Sequence, residues 1–431
     1  MAAGSSIEPW PEGRVRFYNM AHPQFDVYSR NPTASEQAWM RAKYFRMQVY
    51  SPYFDGRLSW YPEGWVYKDS YAIKPHWPVF REHPEWVLRD VAGNKLFIPW
   101  GCARGTCPQY AADFGNPAFR SHWIAEARTV LAKGYKGLWI DDVNLTWRVG
   151  DQHGEFVNPI DPRTGEPMTL ADWRRYFADF MEHVRAAFPG IDIAHNAIWF
   201  AGPASDPDIR REILAADYFN LERGATDQGL RGGGGTWGFD TWIGFVDQIH
   251  ALGRGVIMMD FARTEAQRDF GLAAYLLANT GRDMLGSENV AWSAPDHWWH
   301  GYELNLGPAA GARYMWNGLV RRDFRCGIVL LNEPDRESRT VALDSAWTTL
   351  YGETVSAMAL KAREAAVLTR PCRSADPAAA PATDFDGGGP DMSARNFASA
   401  AAPTARASAS SGAMYTMRRS PARAVAVADC R

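Results

Sequence analysis

The sequence predicts a (β/α)8 barrel followed by a small antiparallel β domain and a disordered tail. Three observations carry that reading. The first is the stretch from Asn116 to Asn144. It has an Asn-Pro helix start, an amphipathic run to Ala132, a break at Gly134, the short apolar run Gly137–Ile140, and two acids, Asp141 and Asp142. The second is recurrence: apolar runs ending in polar groups return at Ile191–Asn196, Asp217–Glu222 and Gly255–Asp260, with helical patterns between them. The third is a change near Arg313, after which short strand-like runs and tight turns replace the alternation.

The chain has 431 residues and could hold about three domains of ~150 residues, but α/β barrels often exceed 250 residues as one domain. The formal net charge of -3 gives no reason to expect nucleic acid or an anionic membrane as partner. No run approaches the ~18 apolar residues of a membrane span, and MAAGSSIEPWPEG shows no signal peptide. The 19 tryptophans raise the expectation of a carbohydrate ligand, because indole faces stack on sugar rings. Five cysteines leave one over. Cys102 and Cys107 are close enough for a disulfide, and they lack the second pair that a zinc site would need. Nothing calls for a cofactor.

Taken in order, the first strand is expected within Arg14–Met20 and the second within Lys43–Ser51. An aromatic, proline-rich stretch to Trp77 reads as a long structured loop. His83 to Trp100 reads as two short strands joined at Ala92-Gly93-Asn94, with the third barrel strand within Lys95–Trp100. Gly137–Ile140 is the fourth strand. Thr169 and Asp172 cap a helix to about Phe188, and Ile191–Asn196 is the fifth strand. The sixth is Asp217–Glu222. The four glycines after Arg231 match no phosphate-loop pattern and read as a mobile loop over the rim. A helix from about Asp240 leads to the seventh strand, Gly255–Asp260, and Thr264 with Gln267 caps the next helix. Val290–Ser293 is the expected eighth strand. The domains are then 14–311 for the barrel, 312–370 for the β domain and 371–431 for the tail, whose Ala, Ser, Pro and Arg content leaves little to bury.

In such barrels the chemistry sits at the C-terminal ends of the strands. The candidate catalytic acids are Asp141 or Asp142 with Glu222, and Asp260 as a third rim acid. The candidates for holding substrate are Tyr18 and His22 from the first strand, Tyr50 and Trp100 from the next two, His195 and Asn196 from the fifth, Arg223 from the sixth and Trp292 from the eighth. Paired carboxylates suit glycoside hydrolysis. The histidines are few for a metal-dependent hydrolase, and His22 has no H-x-H partner. A sugar-binding barrel without turnover is the alternative from another class.

The run GLWID resembles the strand-four G-F-x-x-D signature of the alpha-amylase family and of endo-alpha-1,4-polygalactosaminidases. Together HPEWVLRD, NPAFR, KGLWIDDVN and YMWNGLVRRDFRCGIVLLN resemble a bacterial family called hypothetical glycosyl hydrolase family fifteen, over roughly Arg14 to Arg370. The resemblance implies a barrel glycosidase acting on a polysaccharide or oligosaccharide, in a secreted or periplasmic setting. The amylase nucleophile matches Asp141, but Trp139 stands where amylases have arginine, so amylase activity is not implied. Barrels that take their second acid from strand six, as alpha-galactosidases do, point to Glu222. Both likenesses imply retention of anomeric configuration.

Overall fold

The computed structural model describes residues 9–21, 25–103, 105–197 and 205–372. Its centre is a closed barrel of eight parallel strands: β1 (Phe17–Met20), β2 (Tyr44–Val49), β3 (Gly64–Asp69), β4 (Gly137–Asp141), β5 (Asp192–Asn196), β6 (Tyr218–Leu221), β7 (Gly255–Asp260) and β8 (Met284–Ser287). Each strand pairs with its sequence neighbours, and β8 closes on β1. The main helices between them are α1 (Ala34–Lys43), α2 (Pro117–Leu131), α3 (Leu170–Ala187), α4 (Pro207–Ala215), α5 (Phe239–Ala251) and α6 (Glu265–Ala278).

The helix starts follow local chemistry. Asn116 accepts from the Ala118 N–H with Pro117 at the first turn of α2. Thr169 and Asp172 form a reciprocal capping box on α3, and Thr264 accepts from Gln267 N–H on α6.

Alternation along the strands sorts side chains into two cores. Tyr18, Trp65, Trp139, Ala194, Tyr218, Ile257, Met259 and Met284 fill the barrel interior. The intervening residues, such as Leu138, Ile140, Ile193, Phe219, Val256 and Met258, face the helices. Near the N-terminal end, Asp192 accepts from Arg46 Nε at 2.9 Å and Trp65 Nε1 at 3.1 Å, a buried charge with its partners in place. Gly137 makes room there, since a Cβ would lie 2.7 Å from the Trp65 ring.

Two strands differ from expectation. The third barrel strand is Gly64–Asp69, inside the stretch read as an irregular loop. Lys95–Trp100 is strand-like because it does pair, with Leu96 N–H on Leu88 C=O and Phe97 N–H on Gly150 C=O, but in a hairpin region outside the barrel. The turn at Asp90–Asn94 that joins it to Arg89 is as expected. The eighth strand is Met284–Ser287. Val290–Ser293 is a helical turn that Asn289 caps by accepting from Ala291 N–H at 3.0 Å.

Beyond the barrel lies a six-stranded antiparallel sheet: β9 (Tyr314–Trp316), β10 (Leu319–Phe324), β11 (Gly327–Leu331), β12 (Arg339–Thr349), β13 (Thr354–Leu360) and β14 (Ala365–Thr369), in spatial order 9-10-11-14-12-13. Its inner face carries its own core around Leu319, Leu330, Trp347 and Leu368. The other face meets α6, where Arg322 donates to the carbonyls of Leu276 and Asn279 at the helix C-terminus. Disulfides join Cys102 to Cys107, as the spacing suggests, and Cys326 to Cys372, which the spacing does not reveal. Among the described residues no helix is long and apolar enough to cross a membrane. The tail from residue 373 on lies outside the described residues, as does His22.

Candidate active site

The C-terminal ends of β3 to β6 bring their inward-facing residues to one place. On β4 the inward parity of Trp139 continues to Asp141. Its Oδ1 accepts from Asn196 Nδ2 and from the Asp142 N–H, both at 2.8 Å, and its Oδ2 accepts from the Tyr67 hydroxyl at 2.8 Å. On β6 inward parity runs Tyr218, Asn220, Glu222. The same Asn196 Nδ2 donates to Glu222 Oε2 at 3.2 Å. Two acceptors on one nitrogen lie within about 6 Å of each other at these hydrogen-bond lengths. Asn196 is oriented in turn: its Oδ1 accepts from Asn220 Nδ2 at 2.9 Å, across paired positions of β5 and β6. The opposite amide orientation would aim an oxygen at two carboxylates.

The Glu222 carboxyl is held above its ordinary range. The side chain is exposed at the mouth, and the protein atoms packed around its carboxyl raise it. The neighbouring Asp141 adds to the rise, and the Asn196 hydrogen bond opposes it. A carboxyl raised this way keeps its proton nearer to neutrality, which is what a general acid needs.

Asp142 turns the other way. Its φ of 54° ends the strand, a left-handed conformation that aspartate tolerates. Its carboxylate is buried against Arg148 Nε at 3.2 Å and Asn144 Nδ2 at 3.2 Å, and its carbonyl accepts from Ser70. Burial pushes this carboxyl up to about 7, with Asp141 adding to the rise. It braces the loop after β4.

The remaining candidates divide. Tyr50 is 38% exposed, its ring 4.9 Å from Tyr67, with its hydroxyl accepting from Gln48. Burial lifts that hydroxyl to about 12, with Asp141 and Glu288 contributing. Arg223 follows Glu222 at the rim, its guanidinium 5.8 Å from the Phe261 ring. Trp100 stands exposed on the loop of the Cys102–Cys107 disulfide.

Four expectations need correction. Tyr18 is inside the barrel but fully buried beneath the mouth, with its ring 6.0 Å from Trp65. His195 has the opposite parity to Asn196. It is buried against Phe219, and burial, with Arg185, lowers its imidazole to about 3. Asp260 likewise faces outward, toward Gly271 of α6, where it accepts from the Ala262 N–H. Trp292 packs in the outer layer against Arg268 of α6.

Three further residues stand at the mouth. Tyr67 and Asp69 lie on β3, where the alternation Trp65, Tyr67, Asp69 within GWVYKD is the signal. Tyr67 stacks on Trp139 at 5.6 Å as it donates to Asp141. Asp69 pairs with Asp141 in register and accepts from the N–H groups of Tyr71 and Ala72. Burial, then Asp142 and Asp141, raise its carboxyl well above the usual range. Glu288 continues the inward parity of Met284 and Gly286 past β8, and its charge acts on Glu222 and Tyr50.

A closed parallel barrel with convergent carboxylates at its C-terminal mouth has the architecture of a barrel glycosidase. Residues 46–328 match hypothetical glycosyl hydrolase family 15, and the chain belongs to that family. It is a glycoside hydrolase. No curated protein is detectably similar to the sequence. Similar solved structures include the glycoside hydrolase domain of PelA from Pseudomonas aeruginosa, at 14% identity over 65% of this chain and 97% of that one, with a TM-score of 0.37. The GH36 alpha-galactosidase AgaA from Geobacillus stearothermophilus is 10% identical over 83% and 55%, with a TM-score of 0.46. An Anoxybacillus alpha-amylase is 11% identical over 85% and 100%, with a TM-score of 0.47.

Proposed function

We propose that the protein hydrolyses O-glycosidic bonds of a polysaccharide or oligosaccharide with retention of configuration, with Asp141 as nucleophile and Glu222 as acid/base. The observation that carries this is the shared Asn196 nitrogen. It keeps one oxygen of each carboxyl within about 6 Å of the other, so both acids reach one anomeric centre, and the retaining assignment rests with the amylase and alpha-galactosidase resemblance. Three donors orient the Asp141 carboxylate, and the raised Glu222 carboxyl supplies a proton.

In the first step Glu222 protonates the glycosidic oxygen, the bond to the leaving sugar breaks, and Asp141 bonds to the anomeric carbon. In the second, Glu222 as carboxylate takes a proton from water, whose oxygen displaces Asp141 and restores the free enzyme. The aromatic pair Tyr50 and Tyr67 lines the wall beside Asp141 and offers a ring face to a sugar.

The test is a panel of polysaccharides and aryl glycosides scored for reducing ends, followed by NMR of the first-formed anomer. Retention, with turnover lost in Asp141→Asn and Glu222→Gln, is expected. An inverted product would refute the nucleophile role.

A further inference from the structure

The segment after Glu222 is held from outside the barrel. The chain leaves Glu222 through Arg223, which is left-handed with φ 68°, and makes the 3-10 turn Gly224–Thr226. The Thr226 hydroxyl donates to the Arg223 carbonyl at 2.8 Å and accepts from Phe261 N–H at 2.9 Å, which ties this turn to the end of β7. The next carbonyls find their partner on the C-terminal sheet. The Arg363 guanidinium donates to Asp227 O at 3.1 Å, to Gln228 O at 3.2 Å and to Leu230 O.

Arg363 stands on the β13–β14 turn, and its own N–H bonds the Asn332 carbonyl at 3.1 Å. The Asn332 amide in turn donates to the carbonyls of Glu337 and Leu360. Farther along, the glycines expected to form a mobile loop are gripped by the β11–β12 loop. Gly233 N–H donates to Glu333 Oε2 at 3.2 Å, and a Cβ on Gly232 would lie 2.1 Å from Pro334 O. Gly232 serves close approach to the sheet, while Gly233 and Gly235 take positive φ. Two loops at one end of that sheet therefore hold the segment between Glu222 and α5.

Three main-chain carbonyls on one side chain is work suited to arginine, whose planar fork carries five donors; a lysine ammonium has no such fork. A short irregular segment that lacked this clamp would regain backbone freedom next to the acid/base. We infer that Arg363 is a positioning residue for Glu222, and that the C-terminal sheet sets the geometry of the acid/base. This rests on the reading of Glu222 given above.

The test uses the full chain and an aryl glycoside that the wild type turns over, assayed well below the melting temperature of each variant. Arg363→Ala should lower kcat at least tenfold with KM within about twofold, because a mispositioned acid is missed only in the transition state. Its alkaline limb of kcat/KM should move to lower pH, since a Glu222 displaced from Asp141 and the wall around it loses what raises its carboxyl. Arg363→Lys should fall between the two. A lower melting temperature with kcat and the alkaline limb unchanged would overturn the inference and leave Arg363 a purely structural residue. Glu222→Gln separates the two ideas. If it keeps turnover, the acid/base reading fails and takes this inference with it. If it is inactive while Arg363→Ala behaves like wild type, only the inference fails.

Discussion

Asn196 gives one nitrogen to two carboxylates, Asp141 at 2.8 Å and Glu222 at 3.2 Å, while Asn220 holds its oxygen at 2.9 Å. Hydrogen bonds to charged groups contribute about 1.5–3 kcal/mol, so Asn196→Ala should lower kcat/KM roughly 10- to 100-fold. Asn220→Ala acts through Asn196 and should lower it less. Steady-state kinetics beside melting curves check this. An Asn196→Ala enzyme with wild-type kcat/KM would remove Asn196 from the site.

The two aspartates at the end of β4 should separate by readout. Asp141→Asn should lose several orders of magnitude in turnover with little change in melting temperature. Asp142→Asn should keep most of its turnover, because the Asp142 carboxylate contacts Arg148 and Asn144, and its backbone N–H on Asp141 survives the substitution. Turnover abolished by Asp142→Asn and spared by Asp141→Asn would reverse the assignment.

The barrel is legible because strands four to seven are short apolar runs that end in polar residues, with helical patterns between them. Asp141, Asn196 and Glu222 are where three of those runs end, and their side chains meet at the mouth. Strand ends alone do not say which face a side chain takes. His195 and Asp260 end strands too, but each is one residue out of phase with its inward neighbours, and one residue reverses the face. The two misplaced strands each concealed an acid. β3 lies in an aromatic run whose rings fill the barrel, so its strand signal reads as irregular, and Asp69 went with it. β8 has only four residues, one of them a glycine, while the apolar run after it is a helical turn, so the sequence carries no clear strand signal leading to Glu288. Neither the Asn196 bridge nor the Cys326–Cys372 link has a local sequence signal, since both join residues distant in the chain.

Asp260 gives a pH signature in stability. Burial raises its carboxyl from 3.8 to about 7 in the folded protein. Between those values the folded state keeps a proton that the unfolded chain has released. Its stabilising effect is therefore full below about pH 4, is lost as pH rises toward 7, and stays lost above. Each pH unit in that window is about 1.4 kcal/mol at most. Asp260→Asn keeps an acceptor for the Ala262 N–H and cannot ionise, so its melting temperature should fall less between pH 4 and 8 than that of the wild type. Parallel pH curves for the two proteins would show that Asp260 does not titrate in this range.

The stretch that can be removed without cost should begin after Cys372. Its sequence from residue 373 on is dominated by small and polar residues, so it can bury little apolar area. Cys372, however, is bonded to Cys326 at the β10–β11 turn, and Arg370 N–H bonds the Cys326 carbonyl at 3.0 Å. β14 lies between β11 and β12, so this link fastens the end of an interior strand of the sheet. Ending the chain after Cys372 should leave melting temperature and turnover unchanged. Ending it after Thr369 removes a cross-link spanning 46 residues, a loss of about 4 kcal/mol on the chain-entropy account. The full chain with Cys326→Ser and Cys372→Ser should account for most of that loss, the shorter chain also losing the Arg370 contacts. If the chain ending after Cys372 is itself destabilised or slowed, residues beyond it contribute and the tail is not dispensable. If the double serine variant melts like wild type, the cross-link is not what the shorter truncation removes.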